Sequence, residues 1–444
     1  MRDLHLLILI CLALNCSSVP EQNWVAKVGS RTITKDEFEL RLQFNAHLTH
    51  IDDPSLVKSS LLDALIAERI LALDAITLHH DTLNTFIQLN KQFQREAIIE
   101  NWWEKYIFKN ISISEAELIE KYNLSRIKKI FRFASFSSKQ EAGFVLSRIK
   151  SLNELAGLPE YSASDIVTDT ISWGNGPPEI ESELYQVSPG EVAGPIQLGY
   201  KFFIIELIEE ISMLGSSTTD FLRNKHQLKK ILKRRKGNNL FHKKAQGELK
   251  QYIPRLHKDI FKKLVEKLEK KMFPGGFESG SIEELSLPKN KLNLQIVVEF
   301  NDGDNWTVRQ LLSRLAVSPY PIKKGNPAVF RNSIIIACKA ILDDEVVVKD
   351  AIDKGIDNLK AVRYQTEMWS DAYLAQIMSA ILFKKLGDKH TLTNYILNHE
   401  LYPKVIVNSN LIDTLHIKKT DMIVIKTHFP TRTIAPPIQP LLLR

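Results

Sequence analysis

Histidine and cysteine are the side chains that most often bind metals or carry reactive groups near neutral pH, and this chain of 444 residues contains 12 and 3 of them. His79 and His80 are adjacent, and adjacent positions of a helix do not face the same side. No histidine occurs between His80 and His226. No Cys/His spacing fits a zinc pattern, and the sequence contains no phosphate-cradling glycine loop and no hydrolase nucleophile motif. The sequence therefore predicts no metal site, no cofactor and no identifiable catalytic residue.

Cys16 offers a different chemistry, which is covalent lipidation. The apolar run from Leu4 to Leu14 is too short to cross a bilayer, which needs roughly 20 residues, but it suits the core of a secretory signal peptide. The following "LALNCSS" resembles a bacterial lipobox, with Asn15 where Gly or Ala is usual. We expect export to the periplasm or cell envelope and a lipid anchor at Cys16. The alternative is plain cleavage near Cys16 and a soluble exported protein.

The other cysteines predict no disulfide framework, because Cys11 lies inside the presumed signal and Cys338 sits in an apolar run. Cys338 is expected to be a small buried apolar residue.

Positive charge is concentrated in one segment. Residues 223–271 contain 18 Lys and Arg but only 4 Asp and Glu, within a chain whose net charge is +7. The segment lacks a regular interleaving of aromatic residues and the chain is expected to be exported, so we predict no nucleic-acid partner. A solvated helical linker is the first interpretation, and contact with anionic lipid headgroups is the alternative.

The elements change character along the chain. Helix-like periodicity with capping signals dominates residues 24–122, whereas residues 126–211 read as β-α-α-β-α-β-β. The last part repeats features of the first: "NWTVRQLLSRL" aligns with "RTITKDEFELRL", and Asp350-Ala351-Ile352 aligns with Asp74-Ala75-Ile76. Near the end, "KVIVNSNLID" predicts a strand followed by a turn or helix.

Residues 126–211 resemble a parvulin-type peptidyl-prolyl isomerase domain. The resemblance rests on "ISWGNGPPEIESELYQVSPGEVAGPIQLGYKFFIIEL", and above all on its core from Ser188 to Ile196. The opening "VAKVGSRTITKDEFELRL" resembles exported foldases of the SurA and PrsA type. The family resemblance implies an α+β fold with mostly helical chaperone arms, formed by both chain ends, around a small parvulin-like domain.

Active parvulins use two histidines in a hydrogen-bonded core and an apolar slot for the proline ring. The first histidine position of the family falls on Phe133, and the second on Lys201 or Phe203. The resemblance thus implies a slot without its polar network, which favours peptide binding over catalysis. The residues expected to contact peptide are Phe133, Trp173, Pro178, Ile180, Tyr200 and Phe203.

These observations predict an exported folding factor that binds unfolded or extended polypeptides through arms and a catalytically degenerate parvulin-like domain. Two alternatives stay open: an active prolyl isomerase, and a structural partner in an envelope assembly. The oligomeric state is not predicted. The expected organisation is a signal peptide at 1–15, an N-terminal helical arm at 16–124, a parvulin-like domain at 125–211, a basic helical segment and linker at 212–290, and a C-terminal helical region with a terminal strand at 291–444.

Overall fold

The computed structural model describes residues 23–43, 53–162, 165–198, 201–213, 218–274, 290–386, 389–415 and 435–438. Its strands are β1 Trp24–Val28, β2 Arg31–Thr34, β3 Ile127–Phe136, β4 Val167–Ser172, β5 Val192–Leu198, β6 Lys201–Ser212, β7 Pro254–Leu256, β8 Ile296–Phe300, β9 Asn305–Thr307 and β10 Ile406–Val407. Its α-helices are α1 Lys35–Gln43, α2 Pro54–Thr77, α3 Asn84–Tyr106, α4 Glu115–Ser125, α5 Lys139–Leu146, α6 Pro178–Leu184, α7 Thr218–Gln246, α8 Lys258–Met272, α9 Val308–Val317, α10 Pro327–Asp353, α11 Lys360–Leu386, α12 Lys389–Leu397 and α13 Ser409–Thr414.

The fold is α+β, with long helices and three small antiparallel sheets. The chain divides into two compact units. The discontinuous unit contains residues 1–104 and 247–444, and the central unit contains residues 105–246. Among the described residues, no helix has the length and apolarity that crossing a bilayer requires.

Strand β10 brings the two chain ends together in the discontinuous unit. It pairs antiparallel with β1, so that Ala26 lies opposite Val407 and Lys27 opposite Ile406. The backbone N–H of Asn408 extends this ladder by donating to the Val25 carbonyl at 2.9 Å. The predicted terminal strand is present but only two residues long.

A shared apolar core lies beneath this sheet. It contains fully buried residues of α2, such as Leu61 and Ile70, and residues of α11, such as Leu374 and Ala375. Because these helices come from opposite parts of the chain, burial of their apolar stripes holds the two parts together.

A second core of the same unit surrounds the sheet β7-β8-β9. Helix α8 buries Phe261, Leu264 and Leu268 in it. Helix α8, the second of two helices formed by the basic segment 223–271, is therefore part of a core. The interpretation of the segment as a solvated linker is wrong for this helix. Cys338 also lies in this core at 2% exposure, as predicted, and burial raises the pKa of its thiol to about 12.

The central unit has a four-stranded sheet in the order β4-β3-β6-β5. Its element sequence matches the predicted order, except that the second predicted helix is a 3₁₀ turn, Leu152–Gly157. The predicted boundaries after residues 124 and 211 both fall inside this unit. The reason is that α4 and the first basic helix, α7, share an apolar cluster with Trp173.

Gly194 on β5 is required by both conformation and space. Its φ of +136° disfavours any L side chain, and a Cβ there would lie 2.7 Å from the Phe203 carbonyl oxygen. We expect Gly194→Ala to lower the free energy of unfolding by roughly 1–3 kcal/mol, measured by urea denaturation. Gly143→Ala is the control, since a Cβ at this helical glycine meets nothing within 4 Å and should be neutral or stabilising. Equal effects of the two substitutions would contradict this assignment.

Candidate functional site

The two faces of the central sheet are covered differently. One face packs Ala134 and Ile204 against α5 and the 3₁₀ turn at Leu152–Gly157. The opposite face carries an apolar cluster that includes Phe131, Ile205 and residues of α6. Side chains alternate along a strand, so Phe133 on β3 and Phe203 on β6 share this second face with Phe131.

Phe133 and Phe203 form a half-buried aromatic pair. Their ring centroids lie 5.9 Å apart with an interplanar angle of 52°, and Phe131 stacks on Phe133 at 5.7 Å. Ile180 of α6, at 5% exposure, belongs to the same cluster. The structure therefore brings together three of the predicted slot residues: Phe133, Ile180 and Phe203.

Among the described residues, the polar groups near this pair are few. Lys201 and Ser135 are exposed, and the lysine ammonium donates to the serine hydroxyl at 3.2 Å. The buried carboxylate of Glu206 serves the opposite face, where it accepts from the Ser151 hydroxyl and the Leu152 N–H. No strand of this sheet contains histidine or cysteine. Among the residues that the structure describes on this face, the cluster is formed by apolar and aromatic side chains, which are suited to contact with an apolar side chain or a proline ring.

Trp173 lies in a different place from the predicted slot. It is buried to 8% exposure in a cluster with Leu118 and Tyr122 of α4 and Leu228 and Leu232 of α7. The expectation that Trp173 lines the slot is thus corrected: its indole packs where two helices meet the loop after β4.

That loop is held by Glu181, at 2% exposure. Its carboxylate accepts from the Gly176 N–H at 2.7 Å and from the Gly174 N–H at 3.0 Å. Arg235 of α7 donates to the same carboxylate at 2.7 Å, and its guanidinium lies over the Trp173 ring at 4.6 Å. The loop, the start of α6 and the basic helix α7 are therefore joined through one carboxylate.

Tyr185, at the end of α6, fixes the other side of the loop. Its hydroxyl accepts from the Trp173 N–H at 2.7 Å and lies 2.8 Å from the Ile127 carbonyl oxygen as a donor. Burial raises the pKa of this phenol to about 12, so it stays protonated at any physiological pH. These bonds set the position of α6 and hence of Ile180 on the aromatic face.

The remaining predicted site residues stand as follows. Pro178 is exposed at the first turn of α6, where proline suits a helix start. Tyr200 and Cys16 lie outside the described residues, as do the presumed signal residues 1–15.

Sequence reasoning missed the roles of Glu181 and Arg235. The available signals were an acidic residue in a helix directly after a Gly/Pro turn, and one of three arginines among the many basic residues of α7. Neither signal identifies its partner, because the pair is separated by 54 positions.

The discontinuous unit contains a separate open cleft of about 560 Å³ beside α3 and the start of α11. Its lining mixes basic and acidic side chains, so charge alone selects no ligand for it. The charged lining residues are Arg31, Asp81, Asp357, Lys360, Arg363 and Glu367. In the described part of the chain, no three His, Cys, Asp or Glu residues are grouped as a metal site.

No protein-family model and no curated protein matches this chain. Among solved structures, one similar chain comes from work on two SurA-like chaperones of Campylobacter jejuni, at 15% identity, covering 51% of this chain and 97% of that chain with a TM-score of 0.23. Another is the foldase protein PrsA of Lactococcus lactis, at 13% identity, covering 50% and 92% with a TM-score of 0.21. A third is the peptidylprolyl isomerase PrsA of Bacillus cereus, at 12% identity, covering 50% and 89% with a TM-score of 0.21. Values this low leave the family unassigned, so the case for function rests on the residues of this chain.

Proposed function

We propose that this chain is an exported folding factor that binds unfolded or extended polypeptides without catalysing proline isomerisation. The aromatic face of the central unit, defined by Phe133, Ile180 and Phe203, is its peptide-binding surface. Binding there is shallow, apolar, reversible and weakly selective for sequence, because aromatic and aliphatic side chains supply contact area with few directional bonds.

One observation carries this proposal: two half-buried phenylalanines lie in contact on the face where polar catalytic groups would be needed. Rotation about an X-Pro bond faces a barrier of roughly 18–20 kcal/mol, and lowering it requires stabilisation of the twisted amide. An apolar slot can orient a proline ring, but it offers little to a carbonyl or nitrogen that has lost resonance. The pair therefore fits retention of a segment better than turnover.

The aggregation of several unrelated unfolded clients tests the proposed function. We expect the chain to suppress aggregation of most of them at near-stoichiometric ratios and without ATP. Suppression for a single client would favour the alternative of a structural partner in one envelope assembly. No suppression of any client, together with no detectable peptide binding, would contradict the proposal.

A prolyl-peptide exchange assay separates binding from catalysis. Uncatalysed cis–trans exchange takes roughly tens to hundreds of seconds. We expect the full chain to leave the exchange rate within about twofold of the uncatalysed rate. A clear acceleration that is lost in Ile180→Ala or Phe203→Ala would instead establish the active isomerase.

Membrane attachment through Cys16 is a separate part of the proposal. In a bacterial host, Cys16→Ala should move the protein from the membrane fraction to the soluble exported fraction, because acyl chains on this cysteine would be its anchor. Metabolic labelling with a fatty acid should disappear in the same variant, and Cys338→Ala is the control. Unchanged fractionation and no label in the original chain would favour simple cleavage and a soluble exported protein.

A further inference from the structure

Two segments of the discontinuous unit have the same order of elements. The first segment, residues 24–104, runs β1, β2, α1, α2, a 3₁₀ turn and α3; the second, residues 296–386, runs β8, β9, α9, α10, a 3₁₀ turn and α11. His79 and Gly355, which precede the two 3₁₀ turns, both have left-handed backbone angles, with φ of 60° and 68°. This places residue 79 of the first segment on residue 355 of the second, in the register in which Asp74 meets Asp350.

The two segments exchange their last helices. Helix α11 of the second segment packs on α2 of the first, and Trp102 of α3 donates its indole N–H to Asp350 of α10 at 2.6 Å. Helices α3 and α11 also contact each other, where Phe93 stacks on Trp369 with ring centroids 5.9 Å apart. In the register above, Phe93 and Trp369 are equivalent positions, so the exchange has an approximate two-fold relation centred on this pair.

Two ion pairs, one buried and one partly buried, occupy equivalent places on either side of that centre. Arg69 of α2 lies 3.3 Å from Asp371 of α11, and Glu345 of α10 pairs closely with Arg95 of α3. Residues 69 and 345 are equivalent, and so are residues 95 and 371, yet each equivalent pair carries opposite charge. The exposed fractions are 2% and 1% for the first ion pair, and 19% and 7% for Arg95 and Glu345.

The reversal has a direct consequence for pairing. When the first segment pairs with the second, both contacts join opposite charges. If two copies of the first segment paired in the same way, Arg69 would meet Arg95; two copies of the second would bring Glu345 to Asp371. Like charges that meet at poorly solvated positions disfavour an interface, because each loses the oppositely charged partner that it has in the native pairing.

We propose that the charge reversal at these four positions is a pairing code, which directs the first segment to the second and prevents like-with-like association between copies of this chain. The remaining charges support the code at the Asp371 site only. Arg31 lies 3.1 Å from Asp371, so the first segment presents a second positive charge to that carboxylate. Arg314 does not follow the code, because it lies 3.4 Å from Glu345 on the second segment itself and competes with Arg95 for the carboxylate.

The code is tested in the full chain by exchanging only the two residues on α3 and α11, in the double variant Arg95→Asp/Asp371→Arg. Within one chain, both contacts become repulsive. Between two copies, the new carboxylate at position 95 would meet Arg69 and Arg31 of another first segment, and the new guanidinium at position 371 would meet Glu345 and Arg314. Each native charge cluster would thus be rebuilt in a like-with-like complex.

We expect the double variant, unfolded and refolded over a range of concentrations, to shift towards assemblies of at least twice the original chain's mass by light scattering. The matched control is Arg95→Gln/Asp371→Asn, which removes both ion pairs without creating new attraction and should keep the mass distribution of the original chain. Circular dichroism checks that both variants are helical. The code is overturned if the helical charge-exchanged variant keeps the original mass, or if both variants associate equally.

A second variant is used if the charge-exchanged variant fails to fold. Arg95→Asp/Glu345→Arg reverses one ion pair in place. The code predicts the original mass for this variant, and association would overturn the code.

Discussion

Arg69→Met is expected to lower the free energy of unfolding of the discontinuous unit by about 3–5 kcal/mol, since it removes one partner from a buried group of charges. Arg69 pairs with Glu37, with Glu68 at 2.9 Å and with Asp371 at 3.3 Å. Arg41 and Arg31 complete a group of three guanidinium and three carboxylate side chains. Loss of Arg69 leaves an excess negative charge away from water, where the remaining cations cannot neutralise it.

The loss should depend on pH. Burial raises the pKa of Asp371 to about 6, although the neighbouring Arg69 and Arg31 oppose that rise. The folded state therefore binds a proton more readily than the unfolded chain, and the cost of ionising Asp371 is present above this pKa and relieved as the pH falls below it. Arg69→Met removes an attractive charge and should raise the pKa of Asp371 further. The deficit of the variant should thus be smaller near pH 5 than near pH 7.

Urea denaturation at the two pH values, followed by tryptophan fluorescence, measures this effect. Arg363→Met is the control. Arg363 is 61% exposed, and its ion pair with Glu367 is long at 3.9 Å, so its loss should cost less than about 1 kcal/mol. A deficit for Arg69→Met as small as that of the control would show that the cluster contributes little to stability.

Glu181→Ala is expected to destabilise the central unit by roughly 2–4 kcal/mol. The substitution leaves the N–H groups of Gly174 and Gly176 without their acceptor and removes the partner of Arg235, each of which costs free energy at a buried site. The same carboxylate positions the start of α6, which carries Ile180. The variant should therefore also weaken peptide binding, although the substitution leaves the Ile180 side chain itself unchanged.

Glu181→Gln gives the informative intermediate, because it keeps an acceptor for the loop but not the charge for Arg235. It should recover part of the loss. Glu179→Ala, on the exposed side of the same helix, should change stability by about 1 kcal/mol or less, through the helix dipole alone. Equal denaturation midpoints for Glu181→Ala and Glu179→Ala would contradict the role assigned to Glu181.

Local signals in the sequence were sufficient for much of the fold. The side chains of Ser114 and Ser138 accept from the N–H groups of Glu117 and Glu141, as the capping pattern predicts. Thr34 caps α1 in the same way, but Glu37 does not return to the cap, because its carboxylate pairs with Arg69. A short-range pattern thus predicted the start of the helix, but it did not predict that the Glu37 side chain would pair with Arg69 from a distant helix.

Features that depend on contacts between distant segments were not predictable in the same way. The strand β8 follows a Gly/Ser/Pro-rich stretch, and its partner β7 is only three residues long, so the sheet β7-β8-β9 gives little local signal. Trp173 was placed by family resemblance in the slot, whereas α4 and α7 together enclose it. The central unit has an apolar cluster on the aromatic face and another between α4 and α7. Packing decides which of them takes up Trp173, and the sequence alone does not specify that packing.

The most direct test of the proposed function measures binding of a fluorescent, extended, apolar peptide to the full chain. The double variant Phe133→Ser/Phe203→Ser should raise the Kd at least about tenfold, equivalent to about 1.4 kcal/mol, because it removes both rings of the proposed binding surface. Phe144→Ser is the matched control, since Phe144 is 53% exposed on α5, over the opposite face of the sheet, and its loss should leave the Kd unchanged. Circular dichroism and a thermal melt confirm that each variant is folded. Unchanged affinity in the folded double variant would contradict the assignment of the aromatic face as the peptide-binding surface.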